Sequence, residues 1–346
     1  MSTRFASARW ALPFCIASGL VLNGAGLASA QQAEDWSKVV EAAKREGKMV
    51  IFSSLVHPAF TAAIDAFRAK YGIAVDVLIG KNPAEVRERI RVAVQSGKPS
   101  ADAVFGSEAL TTIRYNEDKT VEDVPSVPNA ARQVSDFRTK APIVPSITIP
   151  YGFLINTDLV KPEDEPKSWK DLLDPKWKGK ILMHDPRSNG AGHIFFIATW
   201  NKLGQDYAKK LAAQDPTLTV TGQEANRRIA RGEFPIYVGV GLTDILQLKG
   251  LPVKVVPPAE GCPYVLYGVS MVTDGAHPNA AKLFADFNTS DEAATIYARA
   301  GFSVGLEEVR SHAPADMKSI VECKLLGTTD PSGQDEALNN AKALYK

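Results

Sequence analysis

The stretch MVIFSSLVHPAFTAAIDAFRAKYGIAVDVLI, residues 49–79, decides the fold. Its first four residues, Met49-Val50-Ile51-Phe52, form a short apolar run of the kind found in a buried strand. Ile64, Phe67 and Tyr71 then recur at helical spacing, and Gly72 closes that helix. Ile73 to Ile79 is strand-like again. Upstream, Trp36, Val39, Val40 and Ala43 mark a helix that ends around Gly47. Downstream, Pro83 opens a third helix with Val86, Ile90 and Val94 inward, and Asp102 to Phe105 reads as a further strand. Strands separated by helices of this length imply parallel βαβ units covered on both faces. The first part of the chain is an α/β lobe.

A second run follows the loop-like stretch from Val121 to Pro145. Ile181-Leu182-Met183, Pro235 to Val240 and Val253 to Val256 are apolar strands. Helices are expected over Ile194 to Leu203, Tyr207 to Ala213 and Glu224 to Ala230, and two more, Asn279 to Phe287 and Glu292 to Ala300, lie near the end. Two long extended passages, Ser146 to Asn156 and Tyr264 to Thr273, join the two α/β regions as a hinge. The expected division is 31–147 with 273–346 as a discontinuous first lobe, and 148–272 as the second lobe with its crossings. Two crossings of this kind permit rigid-body closure around a ligand in the cleft.

The first thirty residues differ from the rest. Arg4 and Arg9 precede an apolar stretch from Trp10 to Leu27, broken by Pro13 and Asn23, and Ala28-Ser29-Ala30 precedes Gln31. This is the form of a secretory signal peptide over 1–30, with a mature chain starting near Gln31 in the periplasm. Export leaves Cys262 and Cys323, as a disulfide or as two buried thiols. The net charge is +1, without the basic excess of a nucleic-acid groove. The five histidines are scattered, no tight metal-ligand spacing occurs, and nothing calls for a cofactor.

Parallel α/β sheets bind ligands at the carboxyl ends of their strands, where helix N-termini point N–H groups into the crevice. Four such places are expected here: Ser53-Ser54, Gly80-Lys81-Asn82, Gly106-Ser107, and the loop from Asp185 to His193. The last brings Arg187, Ser188, Asn189, Gly190 and His193 to the mouth of an apolar helix, and a guanidinium there suits a carboxylate or phosphate. The same letters also serve as caps and turns, and Arg187 can instead pair with Asp185. Lys81 is a second positive candidate that can equally be a solvated surface lysine. Tyr151, Tyr264 and Tyr267 lie in the crossing passages, where a phenol either lines the cleft or packs the hinge.

The chain resembles the family-1 extracellular solute-binding proteins, in the branch that includes ferric-ion-binding proteins. The likeness is carried by Val50-Ile51-Phe52-Ser53-Ser54, Ser100 to Gly106, Ile149-Pro150-Tyr151-Gly152-Phe153-Leu154-Ile155-Asn156-Thr157, Trp169 to Lys180 and His277 to Phe287. The resemblance implies a two-lobe periplasmic-binding fold of type II with two hinge crossings, and an ABC permease and ATPase as partners. It implies binding without catalysis. Ferric-binding members carry an adjacent tyrosine pair after a Gly-Glu-x-Pro segment. Here Gly232-Glu233-Phe234-Pro235 is present, but Leu242-Thr243 stands where the pair is expected, and His57 and Glu108 are only weak metal candidates. The expected ligand is therefore a small anion, a carboxylate, phosphate ester or phosphonate-like solute, taken up by a monomer. Ferric iron or a ferric chelate is the alternative, and a sensor subunit would use the same lobes. From another class, Ser53, Asp102 and His193 suggest a secreted serine hydrolase, without the GxSxG that would support it.

Overall fold

The computed structural model describes residues 36–345 apart from 54, 56, 81–82, 124–125, 189, 242–247 and 330–332. The signal-peptide expectation over 1–30 lies outside the described residues, as do Ser54, Lys81, Asn189 and the Leu242-Thr243 positions. Among the described residues no helix is long and apolar enough to cross a membrane.

The first lobe opens with α1 (36–46), β1 (Lys48–Ser53), α2 (Pro58–Tyr71), β2 (Ala74–Ile79), α3 (Pro83–Gln95), β3 (Ala103–Ser107), α4 (Glu108–Ile113) and β4 (Val121–Glu122). β1 is fully buried along its second half because β2 and β3 flank it in parallel. The chain crosses on β5 (Val144–Asn156). The second lobe contains β6 (Ile181–His184), α5 (Ala191–Leu203), α6 (Gln205–Ala212), β7 (Thr217–Thr219), α7 (Gly222–Ala230), β8 (Ile236–Gly241) and β9 (Val253–Val256). It returns on β10 (Cys262–Val272), then adds α8 (Pro278–Phe287), α9 (Asp291–Arg299), β11 (Ser303–Val304), α10 (Lys318–Val321), β12 (Leu325–Gly327) and α11 (Gln334–Leu344).

The two lobes share one strand order. The first reads β2-β1-β3-β10-β5, with β10 antiparallel to both neighbours. The second reads β7-β6-β8-β5-β9, with β5 antiparallel to both of its neighbours. In each lobe three parallel strands are followed by the antiparallel crossing strand that arrives from the other lobe. This is the two-lobe periplasmic-binding fold with β5 and β10 as its crossings.

Each sheet is covered on both faces, so apolar side chains from successive strand positions go to opposite cores. In the first lobe Phe52, Val104 and Val272 meet Val86 and Ile90 of α3. On its helical side Phe67 of α2 packs edge-on against Phe284 of α8. In the second lobe Phe153, Met183 and Ile236 meet Trp169 and Phe195, while Leu154, Leu182 and Tyr237 meet Ile229 on the other face. Leu326, Ala341 and Tyr345, from the last part of the chain, belong to the Trp169 cluster. Cys262 and Cys323 are joined as a disulfide, which fastens the start of β10 to the segment entering β12.

The short strands β7, β11 and β12 escape a reading of the sequence. Each has two or three residues, too few for a periodic signal, and forms only because a longer strand presents an open edge.

Candidate functional site

Strand register places the candidate site. Ser53 of β1 pairs with Ile79 of β2 and with Phe105 of β3, and Ser107 of β3 pairs with Tyr267 of β10. Further along β10, Tyr264 pairs with Pro150. The carboxyl ends of β1, β2 and β3 therefore point toward the crossing. Across it, Tyr151 pairs with Gly241 at the end of β8, and β6 and β7 run parallel to β8. Both sheets thus turn the carboxyl ends of their parallel strands toward the hinge, the position at which parallel α/β sheets generally offer backbone N–H groups.

Three of the helices that begin there lack side-chain caps. Ser107 precedes α4, Gly190 precedes α5 and Thr221 precedes α7, and none of the three caps its helix through its side chain. Other helices are capped, α2 at the end of β1 among them: His57 Nδ1 accepts from the Ala59 amide, Ser290 accepts from Ala293, and Glu46 accepts from the amides of Asn279 and Ala280. Uncapped first-turn amides carry partial positive charge and remain available to an acceptor from outside the chain.

The loop between β6 and α5 is tightly built. Asp185 accepts from the Arg187 amide at 2.9 Å and grips the guanidinium through Nε at 3.0 Å and Nη2 at 2.8 Å. The Arg187 guanidinium holds the Asp185 carboxyl below its ordinary range. Arg187 Nη1 also reaches the Tyr345 carbonyl at 3.5 Å. Of the two roles open to Arg187 in the sequence, the pairing with Asp185 is the one observed. Ser188 Oγ lies 3.4 Å from the Asp185 carbonyl. Gly192 sits so close to β6 that a Cβ there would fall 2.1 Å from the His184 carbonyl. Gly190 has φ 145° and faces the His184 ring.

His193, in the first turn of α5, is 1 % exposed, and its Nδ1 lies 3.2 Å from the Pro186 carbonyl. That contact makes Nδ1 the donor, which leaves Nε2 as an acceptor without a partner among the described residues. Burial lowers the pKa of His193 and of His184, so both imidazoles are neutral near pH 7. His184 itself escaped the sequence reading. Its signal was its place between Met183 and Asp185, at the last position of an apolar strand.

The remaining candidates separate. Ser53 Oγ donates to the Leu55 carbonyl at 3.0 Å and accepts from its amide, closing a local turn. Tyr151 stands at the point where β5 changes sheets. Burial, with the charges of Glu108 and Asp136, pushes Tyr264 up to about 12, so its phenol stays protonated and can donate. Tyr267 is half-buried with its ring against Phe105. Glu108 accepts from Thr139 Oγ1, and it lines a groove of about 660 Å³ with Tyr115, Asp123, Arg138, Lys140 and Thr329.

His57 packs edge-on against Phe302 in addition to capping α2. Among the described residues no group of three or more His, Cys, Asp or Glu side chains could hold a metal ion. Nor are the imagined triad residues assembled. Asp102 takes the His277 ring at 3.0 Å and the Val50 amide at 2.7 Å, while His193 belongs to the other lobe.

A two-lobe receptor, with strand ends and bare helix starts converging on a double-crossed hinge, is what this geometry defines. The chain belongs to the bacterial extracellular solute-binding proteins, whose family model matches residues 99–321. It is the solute-binding component of an ABC transporter, working with a permease and an ATPase. It is 26% identical over 262 residues to the molybdate-binding protein ModA of Escherichia coli, covering 75% of this chain and 90% of that one. The fructose-6-phosphate-bound periplasmic binding protein AfuA of Actinobacillus pleuropneumoniae superposes with a TM-score of 0.63 at 25% identity, over 86% of this chain and 96% of that one. The Trichodesmium protein IdiA (FutA), solved with iron and citrate, superposes with a TM-score of 0.73 at 18% identity, over 86% and 99%, and shares the fold.

Proposed function

We propose that this receptor captures a small solute bearing an oxyanion, with a phosphate ester as the leading form, and delivers it from the periplasm as a monomer. The observation that carries the proposal is the bare start of α5: Gly190 offers no side-chain cap, Gly192 lets the helix close onto β6, and the buried His193 lies in the first turn. Amides at such a helix start donate to an oxyanion without any fixed cation. AfuA, solved with a sugar phosphate, and ModA, named for an oxyanion, are similar along most of the chain. The solute's remaining polar groups meet the protonated phenol of Tyr264 and the neutral ring of His184. Arg187 braces the loop through Asp185 in this reading.

The lobes divide at the points where the crossing strands change partners. We assign 39–150 and 264–321 to the first lobe, and 151–263 with 322–345 to the second. The packing of Leu326, Ala341 and Tyr345 on the Trp169 cluster supports moving the chain's end from the first lobe to the second. A ligand touching both lobes favours the closed arrangement by its differential affinity for it.

Titration calorimetry of the purified protein against fructose 6-phosphate, inorganic phosphate, molybdate, dicarboxylates and ferric citrate tests the proposal. Saturable binding of a phosphate ester or another oxyanion is expected. Binding of ferric ion without an accompanying anion, and of nothing else, overturns it.

A further inference from the structure

Arg114 follows α4 and is 1 % exposed, one of the largest fully buried side chains of the chain. Its Nε and Nη1 have no hydrogen-bond partner among the described residues. Nη1 lies against Gly106 of β3, 3.3 Å from where a Cβ would stand. Burial pushes its pKa down to about 10, which still leaves the guanidinium charged at neutral pH. Asp118, the acidic group one turn further on, is already gripped by Arg87 at 2.7 and 2.8 Å. Arg114 feels the charge of Asp118 but forms no ion pair with it among the described residues, and buried N–H groups left unpaired are costly.

Its surroundings are polar in the same unfinished way. Thr111, one helical turn earlier, has a buried Oγ1 without a partner, and so does Thr120, whose amide donates to the Arg114 carbonyl at 3.1 Å. Ser270 of β10 pairs with Val104, next to the Gly106 rung on the same face of the sheet, and its buried Oγ is also unpartnered. Guanidinium N–H groups only donate, and the three hydroxyls can donate as well as accept, so all of them can turn a donor toward an anion.

We propose that Arg114, with the hydroxyls of Thr111, Thr120 and Ser270, forms a buried site for a small monovalent inorganic anion, chloride or one of similar size, inside the first lobe. The existence of this site does not depend on which solute the receptor carries. A phosphate ester requires an opening that a 1 % exposed side chain does not provide.

Crystals of the full chain soaked in sodium bromide test the site at the bromine absorption edge. An anomalous peak touching the Arg114 guanidinium is expected in the wild type and not in Arg114→Met. Bromide found on exposed basic side chains alone, an adventitious ion only, overturns the proposal. In solution, added sodium chloride should raise the melting temperature of the wild type with a saturable component. The surface control Arg299→Met should keep that component and Arg114→Met should lose it. An identical chloride response in all three chains overturns the proposal as well. If Arg114→Met does not fold, the bromide map of the wild type decides alone.

Discussion

Pro150 of β5 and Tyr264 of β10 form the last rung of the first lobe's sheet; at the next residue, Tyr151, β5 pairs with Gly241 in the second lobe. The hinge is thus a change of hydrogen-bonding partner within one continuous strand. Tyr264 stands on that rung with its phenol protonated. Tyr264→Phe should weaken binding of the phosphate ester by about 0.5–1.5 kcal/mol, the net worth of one hydrogen bond, with the fold unchanged. An unaltered dissociation constant by calorimetry would take the phenol out of the site.

Arg187 is engaged by Asp185, and its side chain is 33 % exposed. An ion pair with that exposure contributes about 0–1 kcal/mol. Arg187→Ala should therefore cost less than about 1 kcal/mol in affinity and a similar amount in stability. A loss of about 1.5–3 kcal/mol in affinity alone would show the guanidinium moving to the ligand.

Burial lowers the pKa of His57, His184 and His193 from the ordinary value of 6.5. The unfolded chain therefore binds protons at a pH where the folded one does not. Stability is fully present above about 6.5 and falls as acid is added below it, so the melting temperature should drop through that window. His193→Gln should flatten part of the slope in a pH series of thermal unfolding curves.

Gly192 lies where any Cβ would meet the His184 carbonyl at 2.1 Å. Gly192→Ala should push α5 away from β6, destabilise the chain by about 1–3 kcal/mol, and weaken oxyanion binding through the displaced amides. A urea midpoint and a dissociation constant both equal to the wild type's would remove the close approach from the account.

The Cys262–Cys323 disulfide closes a loop with a sequence separation of 61. Replacing both cysteines by serine should cost about 2–5 kcal/mol of stability. Hydrogen exchange should show the earliest loss of protection in β12 and α11, which the disulfide ties to β10. Uniform protection in the double variant would mean that Leu326, Ala341 and Tyr345 hold the tail without it.

Long periodic segments were legible in the sequence. The 49–79 stretch shows its strand, helix and strand because apolar positions must match either the twofold or the 3.6-residue repeat to reach a core. The crossings were legible as unusually long extended passages. The candidate positions were legible as strand ends, since Ser53, Ser107 and the 185–193 loop follow apolar runs. What each side chain does there was not. Arg187 reads as a free cation until the Asp185 carboxylate, two residues before it, is seen folded back on it. The disulfide pairing was open for the same reason: two cysteines far apart in the chain have no separation until the chain is folded.

By itself the sequence determined the two α/β lobes and the family, because periodicity and strand-end chemistry are local properties carried by runs of neighbouring residues. Only the tertiary structure decided that the chain's last residues pack on the Trp169 cluster, which helix starts stay bare at the hinge, and that Arg114 is buried with two of its nitrogens unpaired. Those are relations between distant segments. Their free energies depend on distance, burial and the presence of a partner, quantities that come into being when β5 and β10 bring the two sheets together.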